Sequence, residues 1–85
     1  QTLIVVTNRA REVYRAIAKV TNHGATVMDA IGSYKGNERK VVYSVVYRAE
    51  SKKVIRMIQR VDPDAFINVM KTEQISGKFY LKPNK

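Results

Sequence analysis

The chain contains two similar halves, and this internal repeat strongly constrains its fold. Residues of the first half reappear 41 positions later with the same or a similar side chain. The matching pairs are Val5 and Val46, Val13 and Val54, Arg15 and Arg56, Ile17 and Ile58, Lys19 and Arg60, and Val20 and Val61. Each half has the pattern of a strand, an amphipathic helix and a second strand. Two such units in tandem predict a small α+β sandwich.

The hydrophobic pattern gives the element order βαββαβ. Strands are predicted at residues 3–7, 25–31, 41–48 and 65–71, and helices at 9–22 and 52–61. Asn8 and Ser51 are expected to cap the two helices, because short polar side chains accept hydrogen bonds from the free N–H groups of a helix start. Pro63 ends the second helix, since proline cannot continue the hydrogen-bond ladder. This order predicts a ferredoxin-like sandwich, in which a four-stranded antiparallel sheet carries both helices on one face.

Both faces of the predicted sheet are apolar, although only the face under the helices needs to be. The third strand places Val42 and Val46 on one side and Val41, Tyr43, Val45 and Tyr47 on the other. A second apolar face on so small a domain favours aggregation unless it is covered. We therefore expect a homo-oligomer, either a dimer or a trimer, or a docking surface on a larger chain. The alternative is that the C-terminal tail folds across the sheet.

Length and composition limit the classes of protein to consider. With 85 residues, the chain is expected to form one domain over residues 1–85, with a partly packed tail at 72–85 that contains Phe79 and Tyr80. Because it opens at Gln1 rather than at a methionine, we interpret it as part of a longer protein. No apolar run approaches the roughly 20 residues that cross a bilayer.

Catalytic and metal chemistry find few suitable side chains. The chain has no cysteine, and His23 is its one histidine. Thiolate sites and histidine metal clusters are therefore excluded, and no cofactor is predicted. No hydroxyl, base and carboxylate converge in the predicted topology, so an enzyme is not expected.

The charge balance favours an anionic partner. Sixteen Lys and Arg residues against seven Asp and Glu residues give a formal net charge of +9. Such a field attracts phosphate-rich ligands, nucleic acid, acidic proteins or anionic membrane surfaces. The alternative interpretation is that the cations only solvate the outer helix faces.

Four segments resemble one protein family. They are residues 23–29 (HGATVMD), 32–36 (GSYKG), 40–47 (KVVYSVVY) and 62–66 (DPDAF). Their order and spacing resemble the C-terminal domain of the YitT family of bacterial membrane proteins, a domain of unknown function that is grouped by fold with the PII-like signalling proteins. The resemblance implies a cytoplasmic domain attached to a membrane-embedded half of the same parent chain. It also implies oligomers that bind nucleotides between subunits, near the loop that joins the second and third strands.

That loop and the strand before it supply the predicted ligand site. Its residues are Thr26, Asp29, Gly32, Ser33, Tyr34, Lys35, Gly36, Arg39 and Lys40. Glycines allow close backbone approach, while hydroxyl, aromatic and cationic side chains suit a phosphate attached to a ring. The spacing is not that of a P-loop. An ordinary hairpin tip is the alternative, and Asp29 is equally interpretable as a charge that protects an edge strand.

The predicted function is therefore a regulatory domain that binds a small anionic, nucleotide-like ligand. A ligand-free oligomerisation or docking module is the alternative. An RNA-binding module of the same fold fits less well, because its stacking platform requires aromatic side chains on two central strands. Tyr43 lies one place away from the expected positions, and the first strand has no aromatic residue.

Overall fold

A computed structural model describes residues 1–33 and 36–77. Its strands are β1 (Thr2–Thr7), β2 (Thr26–Ile31), β3 (Glu38–Val45) and β4 (Phe66–Met70), and its helices are α1 (Ala10–Thr21) and α2 (Ser51–Val61). A short 3-10 helix at Arg48–Glu50 precedes α2. The strands form an antiparallel sheet in the order β2-β3-β1-β4. This arrangement confirms the predicted α+β, ferredoxin-like βαββαβ sandwich.

The core lies between the sheet and the two helices. Its fully or almost fully buried apolar side chains are Leu3, Val5, Val13, Ile17, Val42, Val46, Val54 and Ile58. Alternate residues of β1 and β3 point to this side of the sheet because strand side chains have a period of two. Burial of each such side chain contributes about 1.5–3 kcal/mol to folding. The buried stripes on both helices are those that the internal repeat predicts.

The helix starts differ from the prediction. The residue before α1 is Arg9 rather than Asn8, and its N–H donates to the Thr7 hydroxyl at 2.9 Å. Ser51 is the first residue of α2 rather than its cap, and its hydroxyl donates to the Arg48 carbonyl at 3.1 Å. The preceding 3-10 turn explains the second difference, since it already directs the chain into the helix.

The third strand is shifted towards the N-terminus relative to its predicted bounds. It begins at Glu38 rather than at residue 41, and it ends at Val45. The strand extends through charged residues because β2 provides their partners, with Ile31 opposite Glu38 and Asp29 opposite Lys40. The connection of the β2–β3 hairpin is consequently limited to residues 32–37.

The start of the tail contacts the sheet. The hydroxyl groups of Thr2 and Thr72 share a hydrogen bond, whereas Ile75 is 53% exposed. The predictions for Phe79 and Tyr80 lie outside the described residues. Neither helix in the described parts of the chain has the length and apolar character that crossing a bilayer demands.

Candidate functional site

The β2–β3 hairpin closes through two backbone hydrogen bonds. The Gly32 N–H donates to the Asn37 carbonyl at 2.8 Å, and the Gly36 N–H donates to the Gly32 carbonyl at 2.7 Å. Gly36 has a φ of +69°, a left-handed conformation that favours glycine. Ser33 is exposed in this loop, and the predicted site residues Tyr34 and Lys35 lie outside the described residues.

Asp29 and Lys40 face each other across the hairpin and form an ion pair on the helix side of the sheet. The Lys40 ammonium donates a hydrogen bond to the Asp29 carboxylate. This hydrogen bond, with the charge of Asp29, raises the pKa of Lys40 above its ordinary value of 10.5. Asp29 therefore compensates a cation that was predicted to hold a phosphate.

Arg39 lies on the opposite side of the sheet, opposite Ala30. Its side chain passes Gly32, where an added Cβ would stand 3.8 Å from the Arg39 Nε. An open cavity of about 330 Å³ adjoins the hairpin. The cavity is lined by Asp29, Ala30, Ile31, Glu38, Arg39 and Lys40.

The structure brings most of the described part of the predicted site together at one end of the sheet. These residues are Asp29, Gly32, Ser33, Gly36, Arg39 and Lys40. Thr26 is separate, because it begins β2 and lies about 17 Å from Ile31 by the rise of an antiparallel strand. With Glu38, the described hairpin has two carboxylates for its two cations, so its local charge is balanced.

Sequence reasoning missed three residues that line the cavity. Ala30, Ile31 and Glu38 were not in the predicted set, although they adjoin Asp29 and Arg39 along the strands. Only the strand register could have identified these residues, because a hairpin closed by residues 32–37 pairs Ile31 with Glu38.

We use the name open face for the side of the sheet that is turned away from the helices. The strand register places on it Ile4, Val6, Met28, Val41, Tyr43, Val45, Phe66 and Met70. Tyr43 is 39% exposed and Phe66 is 65% exposed. Thr2, Thr26, Ala30, Arg39 and Asn68 also lie on the open face, and Arg39 and Ala30 make this face continuous with the hairpin.

His23 is a buried connection between the two halves. It is 2% exposed, and its Nε2 lies 3.3 Å from the Oε1 atom of Glu50. The same Glu50 oxygen accepts a hydrogen bond from the Tyr47 N–H. The Tyr47 ring packs edge-on against the imidazole, with the ring centres 5.1 Å apart. Tyr47 was predicted to lie within the third strand, but it lies beyond the end of β3.

Comparisons with known proteins identify similar chains of bacterial origin. A family model described as an uncharacterized protein conserved in bacteria, DUF2179, matches residues 23–77. The crystal structure of a DUF2179 protein from Eubacterium ventriosum is similar with a TM-score of 0.65 and 30% identity. The similarity covers 81% of this chain and 94% of that one.

Two curated proteins show how the chain relates to longer sequences. An uncharacterized protein from Bacillus sp. strain PS3 is 32% identical over 75 residues, which are 88% of this chain and 50% of that protein. The UPF0750 membrane protein YitT from Bacillus subtilis strain 168 is 31% identical over 78 residues, which are 92% of this chain and 28% of that protein. The chain thus spans half or less of the length of these two relatives, and neither has the name of an enzyme.

Proposed function

Because this chain belongs to the DUF2179 family, which includes a domain of the YitT membrane proteins, we propose that it is a cytoplasmic regulatory domain of such a protein. The domain assembles with copies of itself through its open face. A small anionic, nucleotide-like ligand binds between the copies, beside the β2–β3 hairpin. Ligand binding changes the conformation of the hairpin, and the membrane-embedded half responds to that change.

The observation that carries this proposal is the apolar open face and its continuity with the hairpin. Tyr43 lies on the central strand β3 and is 39% exposed. Met28 on β2 is 45% exposed, and Phe66 on β4 is 65% exposed. A contiguous apolar surface on a soluble domain is typical of an interaction site. A second copy packed there lies next to Arg39, which shares the same face.

The intersubunit position also supplies a reason for anion binding. The described hairpin residues of one copy have balanced charge, because Asp29 is paired with Lys40 and Glu38 adjoins Arg39. An anion therefore needs cations from elsewhere. The nearest further cation in the sequence is Lys35, in the hairpin connection. In the proposed assembly, the Arg39 of a neighbouring copy is a second cation for the same anion.

The cytoplasmic location is proposed from charge. The chain has a formal net charge of +9, and segments of membrane proteins that are rich in Lys and Arg tend to stay on the cytoplasmic side. A tagged parent protein in protease-treated spheroplasts tests this, with protection of the domain as the expected result.

Ligand binding is tested by calorimetry with a panel of adenine and guanine nucleotides and cyclic dinucleotides. We expect saturable binding of at least one compound, and Arg39→Glu should weaken it about tenfold or more, since charged hydrogen bonds contribute about 1.5–3 kcal/mol. The matched control is Lys71→Glu, which makes the same change of charge at an exposed residue after β4. Equal effects of the two variants would place the ligand elsewhere.

A ligand-free oligomerisation module is the second candidate, and the balanced charge of the hairpin favours it. In this case no compound of the panel binds, but the assembly through the open face persists. Light scattering after gel filtration separates the two parts of the proposal, because it measures mass without any ligand. We expect a mass two or three times the 9.7 kDa of one chain.

A further inference from the structure

The outer surface of the helix layer has two parallel rows of cations. Arg11, Arg15 and Lys19 are exposed on α1, and Lys52, Arg56 and Arg60 are exposed on α2. Residues four apart lie on the same side of a helix, so each set forms a continuous row. We call the surface that these six residues form the basic helix face.

The internal repeat generates both rows. An offset of 41 residues relates Arg11 to Lys52, Arg15 to Arg56 and Lys19 to Arg60, as it relates the buried stripes of the helices. Since both buried stripes pack on the sheet, both rows point to the solvent. The helices are neighbours, because the Arg9 guanidinium donates from the start of α1 to the Val61 carbonyl at the end of α2, at 3.0 Å.

The charge of this surface is almost uncompensated. Glu12 is the one acidic residue within the two helices. Among the described residues, none of the six cations takes part in an ion pair. Like charges four residues apart destabilise a helix, so both rows oppose the folding of the elements that bear them. Their presence in both halves therefore calls for a role other than stability.

We propose that the basic helix face binds the anionic phospholipid headgroups of the membrane that holds the rest of the parent protein. The inference rests on the part of the proposed function that attaches this domain to a membrane protein, and it is independent of any nucleotide. Lys and Arg side chains close to an anionic leaflet each strengthen attachment, without a shaped pocket. Two rows on adjacent helices present such charges over a broad surface.

The distribution of aromatic residues favours a lipid surface over single-stranded nucleic acid. Nucleic-acid surfaces of that kind combine cations with aromatic side chains on which bases stack. Here Tyr14 is the one aromatic residue on the two helices, whereas Tyr43 and Phe66 lie on the open face, on the other side of the sheet from the six cations. A single aromatic side chain does not form a platform for successive bases. An assembly through the open face would leave the basic helix face available to the membrane.

Vesicle sedimentation tests the proposal with the 85-residue chain. We expect the chain to sediment with phosphatidylcholine vesicles that contain phosphatidylglycerol, and not with pure phosphatidylcholine. High salt should release it, because screening shortens the range of the attraction. The double variant Arg15→Glu/Arg56→Glu should lower the partition coefficient about tenfold or more.

The matched control reverses one cation outside the helices. Lys71→Glu makes the same change of net charge as the single variant Arg15→Glu, at an exposed position after β4, and should lower partitioning clearly less. Equal losses in these two single variants would show that only net charge acts, and would overturn the proposal. Equal binding to pure phosphatidylcholine would also overturn it.

Three further measurements separate the possible failures. If single-stranded RNA binds more tightly than the vesicles and depends on Arg15 and Arg56, the surface is a nucleic-acid site and the lipid proposal is wrong. Arg15→Gln/Arg56→Gln, checked by circular dichroism, tests the charge dependence without any charge reversal. Nucleotide calorimetry on the natural chain tells the two proposals apart, since a chain that binds a nucleotide but does not sediment with the anionic vesicles overturns only the lipid surface.

Discussion

The ion pair between Asp29 and Lys40 gives the hairpin a measurable titration. The pKa of Lys40 is raised mainly by the hydrogen bond from its ammonium to Asp29, and less by the charge of Glu38. We predict that Asp29→Asn lowers this pKa towards 10.5, and that Glu38→Gln lowers it less. NMR titration of the lysine side-chain resonances measures both shifts. A larger shift in the Glu38 variant would contradict the pairing.

The sign of the stability change with pH follows from the same pair. Because the pKa of Lys40 is higher in the folded chain, its contribution to stability is complete below the unfolded value and is lost as the pH rises through the folded value. The alkaline loss of stability should therefore be smaller in Asp29→Asn than in the natural chain. The pair is exposed, so added salt should reduce the difference.

A buried hydrogen bond joins the first strand to the end of α2. The Thr7 hydroxyl donates to the Asp62 carboxylate and accepts the Arg9 N–H, and both Thr7 and Asp62 are buried. We predict that Thr7→Val lowers the free energy of unfolding by about 1–3 kcal/mol, because it leaves buried polar groups without a partner. Urea denaturation measures this loss. Thr7→Ser keeps the hydroxyl and should cost less, and equal losses would argue for packing alone.

Thr7 also shows what could not be predicted at single residues. Asn8 precedes the helix and matches the preference for caps, but no side chain caps α1, and the adjacent Thr7 hydroxyl accepts the N–H of Arg9, the residue before the helix. The choice depends on Asp62, which is distant in sequence and orients the Thr7 hydroxyl. The burial of His23 against Glu50 and Tyr47 was likewise invisible, because its contacts come from the other half of the chain.

The strands and helices could largely be predicted because the repeat supplies the same apolar pattern twice. An offset of 41 residues carries Ala10–Thr21 onto residues 51–62, and the observed α2 is Ser51–Val61. The start of β3 could not, since Glu38, Arg39 and Lys40 do not alternate with apolar residues. Only cross-strand pairing with Ile31, Ala30 and Asp29 extends that strand. The resemblance to the YitT family was confirmed by the family match.

The position of the predicted site could be derived from the sequence, whereas the directions of its charged side chains could not. Glycine spacing located the hairpin turn, and Gly36 indeed has a positive φ. The direction of each charged side chain depends on register, which puts Arg39 and Lys40 on opposite sides of the sheet. A one-residue step along a strand reverses the face, so a pair of adjacent cations cannot be assigned to one ligand from sequence.

The helices themselves should become more stable when their rows of cations are interrupted. Arg15→Glu turns the repulsion from Arg11 and Lys19, each four residues away, into attraction, and it turns the attraction to Glu12, three residues earlier, into repulsion. Each pair changes sign with a contribution of about 0.2–0.5 kcal/mol, so the net change of one pair predicts a gain of about 0.4–1 kcal/mol in the free energy of unfolding. Urea denaturation at low salt measures the gain.

Arg15→Gln is the control for this prediction, because it removes repulsion without adding attraction and should give about half the gain. High salt should make the free energies of unfolding of the three proteins nearly equal, because it screens the charges. A loss of stability in Arg15→Glu at low salt would mean that Arg15 has a stabilising contact and that its row is not a cost to the helix. In that case the stability argument for the basic helix face would fail.

At the scale of the whole molecule, the sheet divides two surfaces with opposite chemistry. One side has the apolar open face with Tyr43 and Phe66, and the other has the helices with their exposed cations. Apolar surface favours contact with another apolar surface, whereas a row of charges favours an anionic one. The separation allows one domain to assemble with its own copies and to approach a membrane without competition between the two contacts.

Assembly through the open face predicts that thermal stability depends on protein concentration. A domain of 85 residues buries little more than about 60% of the surface of its unfolded chain, so contacts between copies should add a large part of its stability. Because association stabilises the folded chain by mass action, the melting temperature should rise with concentration. Calorimetric scans over a hundredfold range of protein concentration measure the effect.

Two tyrosines of nearly equal exposure provide the variant and its control. Tyr43 on the open face is 39% exposed, and Tyr14 on α1 is 37% exposed. Tyr43→Lys should place a charge in the interface, give a monomer by light scattering and remove the concentration dependence, because burying an unpaired ammonium is costly. Tyr14→Lys makes the same change on the helix layer and should preserve both. If the natural chain melts at one temperature at all concentrations, or if the two variants behave alike, copies do not meet at the open face, and a ligand cleft between them has no basis.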